Sequence, residues 1–149
     1  MAAQNGSKNI PDWYTYLAAS NVIIAVLAGI ASFQSSSYSS FTLIEKNNSI
    51  LYQNQANKEW NHYLAGEINN QADKTFQIKA EELEKRVESA SNKSDIYFKK
   101  TSNLSMAGTM LEIVIALSSV AVLVRKKIFW YFALVLAGAG IYFLIIGLL

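Results

Sequence analysis

A chain of 149 residues with a formal net charge of +2 is too weakly charged to argue for a nucleic-acid partner. It has no cysteine, which excludes disulfides, thiolate chemistry and cysteine-ligated metals. Hydrophobic residues make up 52% of the chain and charged residues 16%, but that average conceals three apolar runs and one polar block, so the apolar fraction reports membrane and not a globular core.

Residues 1–12 are polar, carry Gly, Ser and Asn, and are expected to be flexible, with Pro11 suited to a first helical turn. The first apolar run, 13–33, opens on Trp13, Tyr14 and Tyr16, amphipathic aromatics that suit a membrane interface. It reads as transmembrane helix 1. Gly29 and Ala31 form a small-x-small pair, yet the run is too long, and its leader too poor in charge, for a cleaved signal peptide. Ala18, Asn21, Ala25, Gly29 and Ser32 recur at steps of three and four, which sets small and polar groups on one helix face. That face is expected to meet another helix.

Residues 34–103 form the polar block, with nine basic and nine acidic side chains and no proline. Phe41, Ile44, Leu51, Trp60, Leu64 and Ile68 recur at near-helical spacing, as do Phe76, Ala80, Leu83, Val87 and Ala90, the second set as a short heptad seam. Charges such as Glu81, Glu82, Lys85 and Arg86 fill positions that suit a solvated face. Arm lengths place the turn. A reversal at 89–94 would leave most of the first arm uncovered. One near 69–75 gives arms of about 54 and 42 Å, with Asn69 and Asn70 as turn formers and Asp73 or Thr75 as helix N-cap. The expected element is an extramembrane antiparallel helical hairpin, coiled-coil-like, continuous with the helices on either side. Its main aromatic contact is expected from Trp60, Tyr63 and Leu64. The stretch 89–94 reads as a weak point or kink.

The second apolar run, 104–124, covers about 31 Å at helical rise and matches a bilayer core. It is transmembrane helix 2. It carries Glu112 near its middle. An ionised carboxylate there costs about 2.5–3.5 kcal/mol, so Glu112 is expected to face protein or water, or to enter as the neutral acid. Counted from the helix ends, Asn21 and Glu112 differ in depth by about 6 Å, close enough to suggest an interhelical hydrogen bond.

Arg125, Lys126 and Lys127 form a short basic loop, 125–127. By the positive-inside rule they place the N-terminus in the cytoplasm, and the hairpin and C-terminus outside. The third run, 128–149, is transmembrane helix 3, with Ala133, Ala137, Gly140 and Gly147 as a small-residue stripe that permits close helix approach.

The stretches AVLAGIAS, NQANKEWNHYLA and the long run from MLEIVIAL to the C-terminus together resemble the DUF4337 family of uncharacterised bacterial membrane proteins. Where that family commonly shows polar-Gln-Trp-x-Tyr-Tyr, Trp60 and Tyr63 match and His62 departs. The resemblance implies the topology, a place in a bacterial inner membrane, and no catalytic residue; it covers both ends and the first arm, and 69–100 only weakly.

No chemical motif competes with this. Glu59-x-x-His62 has di-iron spacing, but the chain's one histidine cannot complete such a site. No nucleophile motif or phosphate loop is present, and AGAG at 137–140 lies inside an apolar run. The expected fold is therefore an all-α integral membrane protein with three transmembrane helices. The expected role is non-enzymatic, without cofactor or metal: a scaffold or accessory subunit in the lipid bilayer that self-associates, or joins a larger complex, through its small-residue faces and hairpin. The alternative is a small oligomeric ion or proton conductor using Glu112, set back by the thin polar line its helices offer.

Overall fold

The computed structural model describes residues 12–68 and 73–149, and within them every regular element is α-helical. The expectations for 1–11, Pro11 included, and for Asn69 and Asn70 lie outside the described residues. Three helices follow in order: α1, Asp12–Ile68; α2, Lys74–Val124; and α3, Lys127–Leu148. Each contains a segment long and apolar enough to cross a membrane, which is compatible with a membrane protein.

α1 and α2 run without a break from apolar into polar sequence, because Ala, Glu, Gln, Lys and Leu favour helix and no proline interrupts them. The serines at 35–40 are absorbed by back-bonding, Ser40 Oγ donating to the Ser36 carbonyl oxygen at 3.1 Å. The expected kink at 89–94 is absent. That stretch is regular helix, since Ser94 is buried and its Oγ donates to the Thr42 carbonyl oxygen at 3.3 Å. α1 ends at Ile68 and α2 begins at Lys74, inside the interval that arm lengths favour. Asp73 caps α2: its Oδ1 accepts from the Thr75 backbone N–H at 2.8 Å and from the Thr75 hydroxyl. Between α2 and α3 stand Arg125, with φ of 55°, and Lys126; Lys127 already belongs to α3.

Two compact units divide these helices. The first joins 12–33 with 103–149. Its core is Ile24, Ala28, Leu111, Val114, Ala133 and Ala137, with Ala31, Ala107 and Leu144 as a second cluster. The second unit, 34–102, pairs the rest of α1 with the start of α2. Its cross-contacts descend α1 as they climb α2: Trp60 to Glu84, Glu59 to Lys79, Thr42 to Ser94, and Ser35 to Thr101. This seam is narrow. Among the described residues its buried side chains are Ala56, Ala80, Ala90 and Ser94, all small, so the two backbones approach closely.

The apolar set expected to line the α1 side of this seam is largely turned outward. Ile44, Leu51, Leu64 and Ile68 are exposed, and Phe41, though half exposed, packs its ring on Tyr97 of α2 at 5.6 Å between centroids; Tyr52, Ala56, Glu59 and Tyr63 face α2. The reason is steric: aliphatic side chains would hold the helices apart, whereas Ala56 and Ala80 let them close. On α2 the seam follows the heptad pattern through Ala80, Leu83, Val87 and Ala90, and continues to Ser94 and Tyr97.

Candidate functional site

In the first unit the small-residue stripe of α3 lies inside. Ala133, Ala137, Gly140 and Gly147 are buried. A Cβ placed on Gly140 would lie 3.0 Å from Leu111 Cγ, and one on Gly147 would lie 2.6 Å from Leu104 Cγ. These glycines are therefore sockets for leucines of α2. The corresponding stripe of α1 does not do the same. Ala18, Ala25 and Gly29 are exposed, and nothing lies within 4 Å of where a Cβ on Gly29 would stand. Of that row Ser32 approaches α2, its Oγ 3.3 Å from a Cβ built on Gly108. Close helix approach needs one small partner per contact. α3 supplies it, so α1 turns Leu17, Ile24, Ala28 and Ala31 inward instead.

Glu112 and Asn21 do not meet. Glu112 is exposed on the outer side of α2, and the buried Asn21 Oδ1 has no hydrogen-bond partner among the described residues. The register explains this. Gly108 sits against Ala31 and Ser32, and the helices run antiparallel, so Glu112 is level with about residue 28, some 10 Å from Asn21 along the axis. Counting depth from the helix ends underestimated that offset.

Glu112 stands in a row that its helix periodicity defines. Ser105, Thr109, Glu112, Ala116 and Ser119 are all exposed and follow at steps of four and three. Thr109 Oγ1 donates to the Ser105 carbonyl oxygen at 3.0 Å and Ser119 Oγ to that of Ile115 at 2.9 Å, so both hydroxyls are satisfied within the helix. By contrast, the outer face of α3 carries Phe132, Val135, Tyr142 and Ile145, bulky groups suited to lipid. The polar row is legible in the sequence as a four-three spacing around Glu112.

In the second unit Trp60 Nε1 donates to Glu84 Oε1 at 2.7 Å, and its ring meets Tyr63 edge-on at 6.0 Å between centroids. Leu64, expected beside them, is exposed. Glu59 pairs with Lys79 at 2.9 Å and His62 stacks on Phe76 at 5.5 Å, so these two side chains engage different partners and do not converge as metal ligands. Among the described residues no group of three or more acidic, histidine or cysteine side chains is placed to hold a metal ion. The grooves beside the seam, such as that lined by Lys58, Glu59, Lys79 and Arg86, are open and charged.

The geometry defines an all-α protein with three long apolar helices and outward polar rows, a class compatible with membranes. The chain belongs to the DUF4337 family, a domain of unknown function, whose model matches residues 65–149. The match begins after Trp60 and Tyr63 and includes 69–100, so the family signal lies in the second arm more than the resemblance in the first arm suggests. No curated protein and no solved structure matches the chain.

Proposed function

We propose that this protein is a non-enzymatic scaffold or accessory subunit of a bacterial cytoplasmic membrane. It crosses the bilayer three times and carries residues 34–103 as an extramembrane helical hairpin. The N-terminus and the basic stretch Arg125, Lys126 and Lys127 face the cytoplasm, the hairpin and C-terminus the other side. It acts by self-association. One observation carries this reading: Leu43, Ile50, Leu64 and Ile68 are 61, 54, 49 and 84% exposed on α1, while the seam with α2 buries small residues alone. Large aliphatic groups in that number on one outward face call for a protein cover. The test is the mass of the detergent-solubilised protein by light scattering. A multiple of the 16.5 kDa chain is expected, and a monomer in native-like lipid would refute the proposal.

A second reading rests on Glu112. A carboxylate on the outer face of an apolar helix, flanked by Ser105, Thr109 and Ser119, would line a proton or cation path if that face were turned to an oligomer axis. Purified protein in vesicles decides it. Flux abolished by Glu112→Gln selects conduction, and no flux above empty vesicles leaves the scaffold.

A further inference from the structure

Leu43, Ile50, Leu64 and Ile68 belong to one row of α1, turned away from α2. Between them, at steps of four and three, stand Asn47, Asn54, Asn57 and Asn61, all exposed. A four-three row sustained from Leu43 to Ile68 is the seam of a left-handed coiled coil. α2 occupies the other side of α1, along Tyr52, Ala56, Glu59 and Tyr63, so the partner for this row is not in the chain's own helix pair.

The asparagines identify that partner. Asn47, Asn54 and Asn61 are seven residues apart, one per heptad at the same seam position. An amide in an apolar seam costs stability unless its hydrogen bonds are met, and asparagine meets them best with an identical asparagine at the same level. Only a parallel, in-register copy sets all three against their own counterparts. An antiparallel neighbour would set amides against Leu43, Ile50 or Leu64, and a parallel one slipped by a heptad would set Asn61 against Ile68. Asn57 differs, since its Oδ1 already accepts from Gln53 Nε2 at 3.1 Å. Flanking charges agree with the parallel arrangement. There Lys46 would face Leu51 of the second copy and Lys58 would face its Gln53, so no like charges oppose.

We propose that the row from Leu43 to Ile68 is the seam of parallel, in-register self-association, with Asn47, Asn54 and Asn61 each pairing with itself across copies. This rests on the self-association reading above and names its surface and register. Because the chain has no cysteine, single introduced thiols report without background. Full-length Asn54→Cys and Asn61→Cys are compared in native membranes under mild oxidant with Gln55→Cys, exposed but about 100° round the helix. The seam positions are expected to form disulfide dimers on the order of tenfold faster, since seam residues come within disulfide reach. Equal or slower rates at the seam, with light scattering still showing an oligomer, overturn the seam and leave self-association standing. Monomer by both methods overturns both. Cross-linking at Asn54→Cys to a protein of different mass overturns the second copy as occupant. The combined variant Asn47→Leu, Asn54→Leu, Asn61→Leu is expected to associate in a broadened, larger mass distribution, and an unchanged distribution would refute the role given to the amides.

Discussion

At the scale of single residues Gly140 and Gly147 of α3 and Gly29 of α1 have opposite roles. Gly147→Ala drives a Cβ to 2.6 Å from Leu104 Cγ and 3.2 Å from the Leu104 backbone nitrogen, so the helix must shift. The expected loss is about 1–3 kcal/mol, read as a lower midpoint of thermal unfolding in detergent. Gly29→Ala meets nothing within 4 Å and is expected to be neutral or to gain up to about 1 kcal/mol from helix propensity. Equal losses at both positions would refute the inward placement of α3. Glu112 belongs to the same comparison. Its side chain is exposed, so Glu112→Leu is expected to change stability of the three-helix unit by no more than about 0.5 kcal/mol. The stripe of α3 is legible in sequence as a small-residue spacing. Which face of α1 turns inward is not, because it depends on α3 having already supplied the small partner.

At the scale of elements, the seam of the second unit is set by alanines. Ala56 and Ala80 are fully buried, so Ala80→Leu must separate the helices; about 1–3 kcal/mol of destabilisation is expected, measured as loss of helical circular dichroism on heating. The start of α2 carries the pH dependence. Hydrogen bonds from the Thr75 hydroxyl and then the Thr75 backbone N–H hold the Asp73 carboxyl below its ordinary range. A lowered pKa in the folded chain means the cap stabilises the helix start above the unfolded-state value and is lost as pH falls through the folded one. The Thr75 amide is therefore expected to lose protection from hydrogen exchange on acidification below about pH 4. Asp73→Asn, which caps without titrating, is expected to abolish that dependence. Fraying at the same pH in Asp73→Asn would assign the effect to another group.

For the whole molecule the open quantity is sidedness, and it follows from where the cations lie. In the proposed topology a cysteine at the exposed Glu81 reacts with a membrane-impermeant maleimide in spheroplasts, and one at the exposed Lys127 reacts only after lysis. The reverse pattern would place the hairpin in the cytoplasm. Lys99 and Lys100, at the other end of the second apolar run, make this measurement necessary because they oppose the bias of Arg125, Lys126 and Lys127.

Hydropathy and length by themselves determined that the chain is helical, that it has three bilayer-length segments, and that its first helix ends and its second begins within 68–74. Those properties depend on local propensity and on the distance a run of residues must cover. Which face of each helix is buried was decided only by tertiary structure. Periodicity shows that Leu43, Ile50, Leu64 and Ile68 share a side of α1. It cannot show that Ala56 and Ala80, by letting backbones close, turn that side outward. Likewise it shows a carboxylate at mid-run and an asparagine near it. The register fixed by Gly108 against Ser32 leaves those two apart and Glu112 on the outer face. Helix rotation and register are properties of pairs of helices, set by which small residue meets which large one.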